Sequence, residues 1–421
     1  GDWGGIIINK SGSRISYADI EYSSSTVHVG YVDTVTINNC VIDNNLSGRA
    51  GISIHNDTKY YIIRNNTITA HSSFGILKTS SGNDEGCNTV SVGGAEIVSN
   101  TIYAYKGIYI CGLYNALVDS NRIELQDGGD YGIQNSNCQN STITNNVVLP
   151  QNEGQSLGTG FKLGSSHNTI VKNNEAYHFW NYGFDIDNVS QDSIIGNKAI
   201  SHINDHWREG FHMHGSNTNN NYFYDNFIEI KSYNNNSSDE GYYGFNGDAN
   251  GNNNKFIKNR IILGTQRSGS SDRRLSAFYR MGNGSYLEGN YMEVWNNYSY
   301  NSENSAVHCT DNNATITSKK DTLILGSYSY GFLVHNLHVD SAIIQVPAGH
   351  YDGYVPIKIT GNEFSIENTT ITGTYDGIVF TGIGEGSIKK TSISLNNGKG
   401  VYIESGQSTI SIERLTLIGP N

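Results

Sequence analysis

Short apolar and β-branched stretches alternate with polar residues at period two along most of the chain. That spacing predicts strands with one face in a core and one face out. Within it a phrase recurs: two β-forming residues, a polar pair ending in Asn, then more β-formers. It reads TINNCVI at 36–42, IIRNNTI at 62–68, TITNNVV at 142–148 and FIKNRII at 256–262. The Asn closing the pair falls at Asn39, Asn66, Asn100, Asn121, Asn146, Asn174, Asn197, Asn226, Asn259 and Asn290, at intervals of 21 to 34 residues. A second phrase, usually Gly followed by an aromatic or aliphatic residue, precedes these Asn by about 13–15 residues; examples are GIYIC at 107–111, GFDID at 183–187 and GFHMH at 210–214. Each repeat therefore holds about three short strands, too few to enclose a core alone. Stacking the repeats into a solenoid buries one continuous core. Only 4 Pro in 421 residues suits uninterrupted backbone ladders.

Asn stacked at a tight bend is expected to take the left-handed backbone conformation and to pair amide to amide with its neighbours. This pattern resembles the right-handed parallel β-helix of the pectin-lyase-like superfamily, whose Asn ladder marks a bend between strands. The resemblance covers roughly residues 15–300 and rests on the repeat. It implies an all-β carbohydrate-active protein of the polysaccharide lyase or glycoside hydrolase type. Looser coils return in GFLVHNLHVD at 331–340 and KGVYIESGQSTISIERLTL at 400–418. The expected organisation is a parallel β-helix with a central groove over 1–310 and continuing coils over 311–421. Exposed strand edges invite pairing, so a cap, a homotrimer or further flanking segments are expected.

Composition narrows the class. Hydrophobic residues are 36%, below the roughly 45–50% usual for globular proteins. Charged residues are only 16% and Tyr numbers 28, so the polar share is uncharged and general disorder is excluded. A net charge of -12 argues against a nucleic-acid partner, which needs a basic face. No run of about 18 apolar residues exists to span a membrane. The opening Gly1-Asp2-Trp3 carries no Met and no basic segment before an apolar stretch. A leader has therefore been removed, or the chain begins inside a longer protein; a polysaccharide-degrading protein of this kind is expected to be secreted or at the cell surface. The five Cys lack metal-ligand spacing, and Cys111 and Cys138 are spaced for one disulfide between turns.

Aligning coils on their Asn places Ile52, Ile108, Ile133, Phe161, Phe184, Phe211, Phe245 and Ala277 inward. The next residue points outward: Ser53, Tyr109, Gln134, Lys162, Asp185, His212, Asn246 and Phe278. Two further on, again outward, come His55, Cys111, Ser136, Gly164, Asp187, His214, Asp248 and Arg280. Ionisable groups crowd the middle coils. Side chains on one face of one strand sit about 6.6–7 Å apart, and those on adjacent coils about 4.8 Å. Asp185 and His212 are then expected side by side, as are Asp187 and His214. The loops entering these strands carry Trp180, Tyr182, Trp207, Arg208, Glu209 and Tyr243. In the resembled superfamily such loops and the adjoining outer strand face form the glycan groove, and an aromatic ring there packs on sugar C–H.

The candidate catalytic set is Asp185, Asp187, His212, His214 and Asp248. An inverting glycosidase needs two carboxyl groups about 6.5–9.5 Å apart, and Asp185 with Asp187 meets the lower end of that range. Lys162, Arg208 and Arg280 would hold the uronate or sulfate of an acidic glycan, beside Trp180, Tyr182, Trp207, Glu209, Tyr243 and Asn246. The acid-x-acid strand followed by His is similar to iota-carrageenases of this superfamily. A β-elimination alternative uses Arg280, or a calcium ion on Asp185, Asp187 and Asp248, to neutralise a uronate, with Lys162, His212 or a loop Tyr as base. No other cofactor and no dedicated metal site is implied. A third reading is a non-catalytic glycan-binding surface or tail-spike protein.

Overall fold

The computed structural model describes residues 5–21, 27–44, 50–79, 93–152, 154–203, 208–232, 241–247, 251–265, 274–296, 304–310, 314–346, 354–374, 376–396, 398–404 and 408–419. The chain divides into two compact units, 1–200 and 201–421. Each is a stretch of right-handed parallel β-helix, and no described residue is helical.

In the first unit a typical coil consists of Leu157–Gly164, Ile170–Lys172 and Glu175–Tyr177. Each strand pairs in parallel with its counterpart in the coil before and the coil after. The inward column Ile52, Ile76, Ile108, Ile133, Phe161, Phe184 runs in strict register. Phe161 and Phe184 stack with ring centroids 4.8 Å apart. Ile76 belongs to a coil that the repeat count passes over, because its strand is fused into the long Thr67–Thr79. The second unit repeats the scheme from Arg208–His214, Tyr222–Tyr224 and Phe227–Ser232 onward to Thr416–Ile418. Its core column is Phe211, Phe245, Phe278, Val307, Phe332, Ile357, Ile378, Val401.

The Asn ladder exists, with one correction. In the first unit Asn66, Asn100, Asn121, Asn146, Asn174 and Asn197 are buried, and each Oδ1 beyond the first accepts both the backbone N–H and the side-chain N–H of the ladder Asn before it. The left-handed conformation falls on the residue before each: Asn65, Ser99, Ser120, Asn145, Asn173 and Gly196, with φ between 54° and 63°. The bend needs one such residue to turn the chain, while the ladder amide must keep its side chain inside. Asn39 is accordingly the bend residue (φ 54°), and Cys40 occupies the ladder slot, its N–H donating to Asn66. A second ladder at the other bend, unforeseen in the repeat, joins Ala116 to Ser141 and Thr169 to Asp192. The Cys111–Cys138 pairing is not made: Cys111 is disulfide-bonded, whereas Cys138 is a buried free thiol.

In the second unit the ladder runs Asn226, Asn259, Asn290 and then Asp321. Asp321 is fully buried, accepts from the Asn290 backbone and amide N–H and from Ser318 Oγ, and is pushed up to about 7, burial being the main cause. A carboxyl held above its unfolded value of 3.8 contributes stability that is complete at acid pH and is lost as pH rises towards 7. Asp321→Asn extends the amide ladder and has no proton to lose. It should be more stable than the parent at pH 8 by roughly 2–4 kcal/mol, and by much less at pH 4. Urea unfolding of both proteins at the two pH values checks this. Equal gains at both would show that the carboxyl does not titrate in that window.

Candidate functional site

The outward wall of the first unit is built by the strands that carry its core column. Gln134, Lys162 and Asp185 stand in register on adjacent strands, as do Ser136, Gly164 and Asp187. Phe184 and Ile186 are fully buried, so alternation sends Asp185 and Asp187 to the outer face. Asp185 is only 6% exposed, while Asp187 is half-buried and accepts from the Asn188 amide at 2.7 Å. Gly164 puts no side chain beside Asp187; a Cβ there would come no nearer than 3.7 Å to any atom beyond its chain neighbours, so the space stays open. Lys162 is half-buried next to Asp185.

Trp180 and Tyr182 lie within the strand Phe179–Asp187, not in a loop. Leu157 pairs with Phe179 and Thr159 with Tyr182, so the latter strand carries one extra residue between. Such a bulge twists the strand and re-aims side chains. Both rings are half-buried. At the other end of the wall the outward residues are apolar: Leu77, Tyr109 and Cys111 are covered and cluster with Phe74 and Tyr131. Lys106 caps that cluster, 5.2 Å from each of the Phe74 and Tyr131 rings and 3.1 Å from Asp130.

In the second unit Arg208 and Glu209 are fully buried members of the strand Arg208–His214 and do not belong to an entering loop. The expectation that they lie in an entering loop is therefore corrected: both are strand residues with buried side chains. The Arg208 guanidinium lies 5.1 Å from the Tyr242 ring, and Glu209 Oε1 accepts from the Asn246 amide at 2.8 Å. His212 and His214 share the outer face and stack at 4.6 Å. His212, Asn246, Tyr279 and His308 form one register column.

That register overturns part of the sequence alignment. Phe278, expected outward, is the core residue opposite Phe245, with rings 5.2 Å apart, and Ala277 falls opposite Gly244. The bend between Phe278 and Asn290 is one residue shorter than that between Phe184 and Asn197, so counting back a fixed interval slips by one. Arg280 consequently sits just past the strand end, exposed, with φ 50°. Its guanidinium still lies over Tyr279, 5.1 Å from the ring. Tyr279 also stacks on Tyr243 at 4.5 Å and accepts from Arg274 Nη1 at 2.7 Å through its hydroxyl. Burial pushes the Tyr243 hydroxyl far above its ordinary value, with Tyr279 the next cause.

Of the residues singled out in the sequence, the first unit brings together Lys162, Asp185, Asp187, Trp180 and Tyr182 on one strand stack. The second brings together Glu209, His212, His214, Tyr243 and Asn246, with Arg280 at the margin. Asp248 and Trp207 lie outside the described residues. The pairings Asp185–His212 and Asp187–His214 join residues of different units and remain expectations of the sequence. Tyr279 went unnoticed, because the slipped register hid it in the inward-outward count.

No curated protein matches the chain by sequence. A family model described as periplasmic copper-binding protein (NosD) matches residues 2–153. Among solved structures, the chain is similar to the periplasmic alginate epimerase AlgG at 10% identity, covering 91% of this chain and 77% of that one, with a TM-score of 0.39. A mutant tailspike protein of E. coli bacteriophage HK620, in complex with a pentasaccharide, shows 11% identity over 97% and 73% of the two chains, with a TM-score of 0.39. The Streptococcus pneumoniae surface protein and adhesin PfbA shows 9% identity over 77% and 90%, with a TM-score of 0.35. By its own strand order, parallel pairing and Asn ladders, the chain has the right-handed parallel β-helix fold of pectin-lyase-like proteins.

Proposed function

We propose that the protein is an extracellular or periplasmic glycan depolymerase that hydrolyses an acidic polysaccharide at the outer wall of the first unit. The observation that carries this reading is the placement of Asp185 and Asp187 at i and i+2 on the outer face, with Phe184 and Ile186 anchored in the core. A rigid strand holds two such carboxyl groups about 6.6–7 Å apart, enough to admit a water beside the scissile bond. In this reading Asp185, the less exposed, gives its proton to the leaving oxygen. Asp187, the more open, takes a proton from the water whose oxygen joins the anomeric carbon as the glycosidic C–O bond breaks. Lys162, next to Asp185, supplies the positive charge for a uronate or sulfate. Trp180 and Tyr182 supply ring faces for sugar C–H.

A second reading, β-elimination, is favoured by one observation in the second unit. There Tyr243 and Tyr279 stack, with the guanidinium groups of Arg274 and Arg280 at the Tyr279 ring. Arginine beside a phenol and an imidazole can neutralise a uronate carboxylate while His212 or a Tyr takes the C5 proton. The two chemistries differ in product. Incubation with acidic polysaccharides should release new reducing ends without absorbance at about 235 nm, where the unsaturated product of C5 proton abstraction absorbs. Growth of that absorbance would transfer the chemistry to the second unit, and Tyr279→Phe should then lower the rate at least tenfold. Binding without any new ends would leave a glycan-binding surface protein.

A further inference from the structure

A groove of about 700 Å³ opens on a different strand stack of the first unit, formed by Arg122–Leu125, Val147–Pro150 and Glu175–Tyr177 and the turns that follow them. Its floor is apolar. Val147 and Leu149 alternate outward around the fully buried Val148, and Pro150, itself buried, borders the strip at the strand end. Tyr177 stands at one side, with the amides of Gln151 and Asn152 along the turn.

The Arg, Lys and Glu charges around this strip are already matched. Arg122 Nε lies 2.7 Å from Glu124, Lys198 Nζ lies 2.6 Å from Glu175, and Tyr177 Oη donates to the other Glu175 oxygen at 2.5 Å. Self-paired groups hold fixed hydrogen-bonding directions but present no net charge to a ligand. The volume lies within the roughly 300–1,000 Å³ of small-ligand sites. The three strands spend their backbone groups on one another in the parallel ladder, so a peptide has no free edge to join. An aliphatic strip bordered by a Tyr ring, with acceptors and donors at its rim, suits a pyranose ring, apolar on its C–H face and hydroxylated at its edge.

We infer that this groove is an accessory subsite for a neutral stretch of oligosaccharide, distinct from the wall that carries Asp185 and Asp187. The inference rests on the proposed function only in taking the ligand to be a glycan. Uronate or sulfate groups gain nothing from its balanced charges, whereas hydroxyls meet Glu175, Arg122 and the turn amides.

The test is calorimetric titration of the full chain carrying Asp187→Asn with cellohexaose, laminarihexaose, mannohexaose and, as the acidic counterpart, hexagalacturonate. At least one neutral hexasaccharide should bind. Tyr177→Ala and Glu175→Gln should each weaken it at least tenfold, and Gln151→Ala, on an exposed turn, about threefold. Gln151→Ala also keeps the test valid should Tyr177→Ala fail to fold. Binding that none of the three variants weakens, binding of the uronate alone, or no binding of any neutral probe overturns the inference. Because binding is read in a chain that need not turn over, failure of the depolymerase reading would appear separately, as absent cleavage by the parent.

Discussion

Asp187→Asn is expected to lower the rate of glycan cleavage by about 1,000-fold or more while leaving the fold intact. Loss of a positioned general base removes typically 10²–10⁴-fold, and an amide cannot take the proton of the attacking water. The substitution is isosteric, and the Asn188 amide can still donate to the remaining carbonyl oxygen, as it does to Asp187 Oδ1 at 2.7 Å. The side chain is half-buried on the outer face, so the cost in stability should stay below about 1 kcal/mol. The partner substitution Asp185→Asn gives the complementary signature. It should remove the basic limb of the pH–rate profile and lose far less on aryl glycosides, whose leaving groups need no proton. Asp187→Asn should remove the acidic limb. Reducing-end release across pH for the parent and both variants measures this. Parent-like rates in Asp187→Asn would exclude the pair as the catalytic groups.

The largest structural effect is expected at Asn146. Its Oδ1 accepts the backbone and amide N–H of Asn121, and its own amide donates to Val118 O, Thr144 O and Asn174 Oδ1, all between 2.9 and 3.0 Å. Asn146 is fully buried, so Asn146→Ala strands donors and acceptors on three successive coils where no water replaces the lost bonds. Each orphaned buried group costs about 1–3 kcal/mol, so the sum should exceed about 3 kcal/mol. The neighbouring Asn145 provides the contrast. It holds φ 55° and gives up two exposed bonds, its amide to Asp119 and a long one that its Oδ1 accepts from the Asn173 amide, so Asn145→Gly should change stability by less than about 1 kcal/mol. Urea unfolding of the two variants checks both numbers. A similar cost for each would mean that the bend conformation, and not the amide ladder, holds the coils together.

Period-two alternation and the recurring Asn were sufficient to read the strands, their stacking and the inward faces of Ile108, Ile133, Phe161 and Phe184. In those coils the interval between core residue and ladder Asn is constant, so a sequence offset converts directly into register. The same arithmetic failed at Phe278, where the bend loses one residue and the faces read for Ala277 and Phe278 are exchanged. A bend's length is decided by how its backbone closes against the next coil. No single sequence displays that.

The candidate site divides along the same line. Lys162, Asp185 and Asp187 were legible because they ride on strands whose partners in the core are unmistakable. Arg208 and Glu209 were read as surface groups because long charged side chains rarely lie fully buried. Only the tertiary structure shows that both are buried, Arg208 against the Tyr242 ring and Glu209 accepting from the Asn246 amide. Tyr279 gained its neighbour Tyr243 through tertiary register, while Arg274 reaches it from five residues earlier in the chain. The groove beneath Tyr177 likewise gathers residues from three coils that no local motif connects.

The sequence by itself determined the architecture, since alternation and a buried amide at each bend leave a stacked parallel solenoid as the arrangement that satisfies both hydrophobic burial and backbone hydrogen bonding. Tertiary structure alone decided which residue at each bend turns left-handed, which charges are buried, and which side chains from distant coils meet. Those outcomes depend on bend lengths and on packing between coils, where a shift of one residue exchanges inside for outside.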